Sequence, residues 1–224
     1  AVGYNALCTN ITGTSNSAVG ALTLDAATTG SYNAGLGYAS LSVLTTGTFN
    51  VASGYIAGSG ITTGSCNVAI GSHSLATTTT ADNNTAVGAC SLNANTTGHS
   101  NVAVGCGSLV ANTTGFRNVG VGLGSLASNT EGEYNVGVGK DAGEATTTGD
   151  YNTFLGSFAG FKNTTASNNT AVGGLALLDN TTGASNVSIG VSALENNTTA
   201  SCNTAVGFSA MAANTTGCGN TAVG

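Results

Sequence analysis

Few side chains in this 224-residue chain are of the types that perform acid–base, nucleophilic or metal chemistry: two His, nine acidic residues and three basic ones. His73 and His99 sit at different places in the repeating pattern described below, and neither has a carboxylate placed to form a triad with it. Cleavage of a glycosidic bond needs two opposed carboxyl groups. Five of the nine acidic residues, Glu131, Glu133, Asp141, Glu144 and Asp150, cluster locally but match no calcium-loop spacing, so a solvated acidic face is the expected reading. Six Cys are present without a Cys-x-x-Cys pair, which argues against a zinc site. The sequence therefore predicts no enzyme and no cofactor.

The polar groups that do recur point to other chemistry. Asn-x-Ser/Thr sequons are dense: Asn10, Asn83, Asn95, Asn112, Asn163, Asn168, Asn180, Asn186, Asn196, Asn197 and Asn214. In a secreted protein such sites lie on the surface and can carry covalent glycans. Asn95, Asn112, Asn163, Asn180, Asn197 and Asn214 share an Asn-Thr-Thr turn sequence and are the glycosylation candidates, although Asn-Thr-Thr is also good turn chemistry. Paired Thr, from Thr28-Thr29 to Thr215-Thr216, would serve ice binding if both hydroxyls shared a flat face; adjacent strand residues point to opposite faces, which weighs against it. Cys90 and Cys106 are 16 residues apart, as are Cys202 and Cys218, and both pairs are disulfide candidates that would imply an oxidising compartment; Cys8 and Cys66 have no such neighbour. Arg117, Tyr134 and Tyr151 fall on one 17-residue spacing, a cation–π or sugar-binding strip or a surface ladder that steadies the coils.

That spacing is the organising fact of the chain. Gly3 is followed at intervals of 17 by Gly20, Gly37 and every further Gly to Gly224 without a miss. A second lane runs through Asn16, Asn33, Asn50, Asn67, Asn84, Asn101, Asn118, Asn135, Asn152, Asn169, Asn186, Asn203 and Asn220. Asn101-Val102-Ala103-Val104-Gly105 alternates as a strand does and is too short for a helix. Gly105 then suits a corner with φ > 0, Ser108-Leu109 reads as a second short extended piece, and Asn112-Thr113-Thr114-Gly115 as a turn. One such coil cannot bury its own apolar face; stacking on the next coil does so. The predicted fold is all-β: a single parallel β-solenoid (β-roll) of about 13 coils over residues 1–224, without helices of note, rising roughly 4.8 Å per coil. Val, Leu and Ile lanes are expected to fill its thin interior. The Asn16 lane is expected to form an amide ladder. The lane Ala18, Gly35, Ala52, Ala69, Ala86, Ala103, Gly120 and Gly137, if outward, is a smooth strip for close packing between chains.

Composition narrows the function classes. Only 5% of residues are charged and the net charge is −6, so clustered Lys and Arg for nucleic acid are absent. Apolar runs are a few residues long, too short to span a bilayer, and no membrane insertion is expected. The strings Asn67-Val68-Ala69-Ile70-Gly71, Asn84-Thr85-Ala86-Val87-Gly88 and Asn203-Thr204-Ala205-Val206-Gly207 resemble the head repeats of trimeric autotransporter adhesins. The resemblance implies a left-handed parallel β-roll that trimerises and binds host surfaces. The family's coils are usually shorter, the Leu-x-x-Asn-Thr-Thr-Gly segment looks like an extension, and no heptad stalk is present. Together these features lead us to expect a non-enzymatic extracellular or cell-surface fibre or stalk, glycosylated and self-associating as a lateral trimer or end-to-end filament. An adhesin head that binds matrix or glycan and an ice-binding solenoid are the alternatives. Both ends fall in mid-motif, as a window on a longer array would.

Overall fold

The computed structural model describes residues 1–224, which form two compact units, Ala1–Thr114 and Gly115–Gly224. Each is an all-β parallel solenoid. The first unit contains β1 (Ser17–Val19), β2 (Ala34–Leu36), β3 (Val51–Ser53), β4 (Val68–Ile70), β5 (Thr85–Val87) and β6 (Val102–Val104). The second contains β7 (Val119–Val121), β8 (Val136–Val138), β9 (Thr153–Leu155), β10 (Thr170–Val172), β11 (Val187–Ile189), β12 (Thr204–Val206) and β13 (Thr221–Val223). Within each unit, consecutive strands pair in parallel at a register of 17, as in Ala69↔Ala86 and Ala171↔Ser188. No helix is present, and so none is long and apolar enough to cross a membrane.

Each coil carries one three-residue strand, not two. The Ser-Leu segment expected to be extended is a turn, because its Leu lies in left-handed backbone: in the coil at 84–100, Cys90, Leu92 and Ser100 have φ of 57°, 47° and 58°. Three such corners per coil close the chain on itself within 17 residues. Each costs roughly 1–3 kcal/mol for a residue with a Cβ. The cost is offset because the main chain stays laddered around the corners: the Leu24 amide donates to the Ser40 carbonyl at 3.1 Å and that of Thr28 to Thr45 at 3.0 Å. The Leu side chains also end fully buried, Leu24, Leu41, Leu75, Leu92, Leu126 and Leu194 among them.

The two faces of the strand are the reverse of the expected arrangement. The Ala lane points inward: Ala52, Ala69, Ala86 and Ala103 are 0–1% exposed. The Val positions on either side face out, with Val19, Leu36, Ile70 and Ile189 40–53% exposed. Ala18, Gly35, Ala52, Ala69, Ala86, Ala103, Gly120 and Gly137 are therefore core, not a lateral packing strip. The reason is room. A Cβ on Gly35 would lie 2.5 Å from Thr23 Cγ2, and one on Gly137 would lie 2.6 Å from Ser125 Oγ. An interior this narrow takes Gly, Ala or, at Ser188, a Ser whose hydroxyl donates to the Ala193 carbonyl, and Val must go outside.

Phe154 is the exception, fully buried in the Ala lane. Its space comes from the Leu lane, which is Gly at residues 143 and 160. A Cβ on Gly143 would sit 2.5 Å from the Phe154 ring, and one on Gly160 would run into the same ring. Phe158 and Phe161, which flank Gly160, pack edge-to-face at 5.5 Å and remain partly exposed.

Candidate functional surface

The coil has a buried polar wall. In the first unit, Oδ1 of Asn16 accepts from the Asn33 backbone amide at 2.9 Å and from Asn33 Nδ2 at 3.2 Å, and Asn33 Nδ2 also donates to the Gly47 carbonyl at 2.9 Å. Asn50, Asn67, Asn84 and Asn101 continue the backbone contact, each amide donating to the previous Oδ1 at 2.9–3.0 Å. In the second unit Asn135, Asn152, Asn169, Asn186, Asn203 and Asn220 do the same, starting from Asn118. Apart from Asn203 Nδ2, which is buried without a partner, these groups are engaged in holding coils together.

A second Asn ladder lies in the turn lane, and it corrects the glycosylation assignment. Asn95, Asn112, Asn163, Asn180 and Asn197 are fully buried. Asn112 Nδ2 donates to Asn95 Oδ1 at 2.8 Å. Asn180 Nδ2 donates both to Asn163 Oδ1 and to the Gly183 carbonyl, each at 2.9 Å, and Asn197 repeats this one coil on. Asn214, half-buried, donates to Asn197 Oδ1 at 2.9 Å and to the Gly217 carbonyl at 3.0 Å. An N-glycan must leave through the same nitrogen, so these six positions are structural ladder residues. Where the lane turns apolar, at Leu44 and Ile61, Thr78 ends the ladder: its Oγ1 accepts from Asn95 Nδ2 at 3.2 Å.

The cysteines are corrected too. Cys90, Cys106, Cys202 and Cys218, with Cys8 and Cys66, are free, exposed thiols. A 16-residue separation puts the members of each pair in adjacent lanes instead of one, and in each pair one member sits in left-handed backbone, Cys90 at φ 57° and Cys202 at φ 61°.

The Thr pairs divide their work. The first hydroxyl donates to the carbonyl one coil on, as from Thr45 to Thr62 at 3.1 Å and from Thr181 to Thr198 at 3.0 Å. The second Thr, at 46, 63, 97, 165 and 182 for example, is exposed. Only one hydroxyl row per turn thus faces water.

The charged and aromatic residues are mostly at the surface. Tyr134 and Tyr151 stack at 4.8 Å with planes 6° apart, Arg117 lies 5.3 Å from the Tyr134 ring centroid, and its Nη1 donates to the Tyr134 hydroxyl. Tyr32 and Phe49 stack at 4.9 Å. In the acidic zone Lys140 pairs with Asp141 at 2.8 Å, and Asp150 Oδ1 accepts the Glu133 amide at 2.8 Å. No group of three His, Cys, Asp or Glu side chains converges as a metal site would need. His73 Nδ1 bonds the neighbouring Ser72 hydroxyl at 2.8 Å.

The surface missed in the sequence is the outward strand face. Its rows are Val2, Val19, Leu36, Ser53, Ile70, Val87 and Val104 beside Ser17, Ala34, Val51, Val68, Thr85 and Val102 in the first unit. In the second they are Val121, Val138, Leu155, Val172, Ile189, Val206 and Val223 beside Val119, Val136, Thr153, Thr170, Val187, Thr204 and Thr221. None of these residues is charged. The signal that could have found it is the size of the alternating residues, since only the smaller set fits inside. Compared with known proteins, the chain matches no family model, no curated protein and no solved structure.

Proposed function

We propose that the chain is a non-enzymatic structural segment of an extracellular fibre, of the same general kind as the β-roll heads of trimeric autotransporter adhesins, and that it associates laterally with further copies of itself through the outward strand face. The observation that carries this reading is that face: apolar or hydroxyl-bearing in every coil, free of charge, and repeated at the pitch of the coils. Burial of apolar surface favours covering it. A second copy presents the same rows at the same pitch of roughly 4.8 Å, so contacts accumulate coil by coil. A partner without that period has no such match.

The test is sedimentation of the native chain and of a Leu36→Lys/Ile189→Lys variant, with electron microscopy of both. The native chain is expected to sediment as a multimer that appears as fibres or bundles. The variant, with one charge on the face of each unit, is expected to be monomeric with an unchanged far-UV spectrum. A native monomer at all concentrations, or a variant that assembles as before, contradicts the proposal.

An adhesive surface is a second reading, favoured by the Arg117–Tyr134–Tyr151 strip, in which an exposed guanidinium and an exposed ring lie on either side of the half-buried Tyr134. Loss of glycan binding in Tyr134→Ala/Tyr151→Ala, with assembly intact, would support it; unchanged binding would count against it.

A further inference from the structure

The eleven sequons are not equivalent in the folded chain, and burial and hydrogen bonding separate them. Asn95, Asn112, Asn163, Asn180, Asn186 and Asn197 are fully buried in the two ladders. Asn214 Nδ2 makes two hydrogen bonds. Asn10 Nδ2 donates to the Gly13 carbonyl at 2.9 Å. Asn196 Nδ2 donates to the Ala212 carbonyl at 2.9 Å, and the hydroxyl of its sequon, on Thr198, donates to the Thr215 carbonyl at 3.1 Å. Two remain. Asn83 and Asn168 are exposed, and neither side-chain amide has a protein partner.

These two share more than exposure. They stand in the same lane, one in each unit, in the identical string Asn-Asn-Thr-Ala-Val: Asn83-Asn84-Thr85-Ala86-Val87 and Asn168-Asn169-Thr170-Ala171-Val172. Both have φ of 61°, at a left-handed corner, with the backbone held by one bond to the preceding coil: Asn83 N to the Ser65 carbonyl at 3.1 Å and Asn168 N to the Asp150 carbonyl at 3.0 Å. The next residue, Asn84 or Asn169, is locked in the buried ladder. The Thr after it lies on the outward strand face, half-buried, its hydroxyl likewise without a protein partner. Acceptor nitrogen and sequon hydroxyl are thus both unengaged, and no ladder bond must break for either to be used.

The geometry points to Asn83 and Asn168 as the N-glycan acceptor sites of the folded protein, one in each unit. The extracellular reading above bears only on where the sugar would come from; acceptor behaviour belongs to the folded chain. In the transfer, Asn Nδ2 forms a bond to the anomeric carbon of a sugar nucleotide. The bond from that carbon to the diphosphate oxygen breaks, the nucleoside diphosphate leaves, and one Nδ2 proton passes to a base of the transferase.

The experiment incubates the folded chain with a soluble asparagine glycosyltransferase and its sugar nucleotide, and maps hexose by peptide mass spectrometry. A parallel sample is unfolded in denaturant and diluted immediately before the reaction. In the folded sample Asn83 and Asn168 are expected to be modified more than about tenfold faster than Asn95, Asn112, Asn163, Asn180 or Asn197, which become accessible only through local unfolding. In the unfolded sample this preference should vanish, and Asn83→Gln/Asn168→Gln should remove the fast labelling from the folded chain alone. Failure of Asn83 and Asn168 to be modified when folded, or equal labelling of the buried Asn, overturns the assignment. Sedimentation of the glycosylated product separates this test from the fibre proposal: labelled sites on a chain that never assembles uphold the one and contradict the other.

Discussion

At the scale of single residues, two glycine lanes show how one residue type answers to different constraints. Gly71 has φ of 126°, and a Cβ there would lie 2.6 Å from the carbonyl group of Gly88 one coil on. Both the conformation and the space demand Gly. Gly64, in the turn lane, would also press on the coil above, but its φ is not in the left-handed region, and the same lane holds Ala81, Ala166 and Ala200. Gly71→Ala is accordingly expected to cost at least ~2 kcal/mol and to cost more than Gly64→Ala, which incurs the close contact without the left-handed strain. Denaturant titration of the two variants checks this; equal costs would mean that the corner conformation is not what fixes the lane. The unbroken Gly lane and the interrupted one can be told apart in the sequence. The left-handed Leu, Cys and Tyr corners cannot, because a side chain at φ > 0 leaves no compositional trace when laddering and burial hold it there.

At the scale of elements, the repeat and the strand are legible but the inside of the coil is not. Spacing identifies which residues share a lane. Alternation in Val102-Ala103-Val104 identifies two faces without saying which is inner, and the general preference for burying Val over Ala points the wrong way when the interior is this thin. The Asn-Thr-Thr turn fails for a related reason: Asn95 and Asn83 are both sequon residues, and only the position of the side chain relative to the core separates a ladder amide from a free one. Packing, by contrast, makes a firm prediction at Phe154. Its ring occupies volume released by Gly143 and Gly160. Phe154→Ala is expected to destabilise the second unit by about 3–5 kcal/mol. Adding Gly143→Leu and Gly160→Leu, which restores the common Ala-and-Leu coil, should recover most of that loss in thermal or denaturant unfolding. No recovery would show that the ring is not the occupant that those two glycines serve.

At the scale of the molecule, each coil owes its stability to its neighbours. The main-chain ladder, two amide ladders and the Thr hydroxyl row all run from one coil to the next, and within a coil the main chain bonds to itself only in short turns, as from the Leu44 amide to the Leu41 carbonyl at 3.2 Å. Register should therefore matter far more than length. The most direct measurement compares two deletions in the first unit by far-UV circular dichroism and cooperative unfolding. Removing residues 51–67 joins Asn50 to Val68 and keeps every lane aligned. Removing residues 51–59 takes away less chain but shifts each lane out of line with its partner. The whole-coil deletion is expected to retain the β-sheet spectrum and a cooperative transition, with stability lowered by no more than one coil's share. The shorter deletion should lose both in that unit. If the two deletions behave alike, or the shorter one is tolerated better, residues seventeen apart do not hold this molecule together.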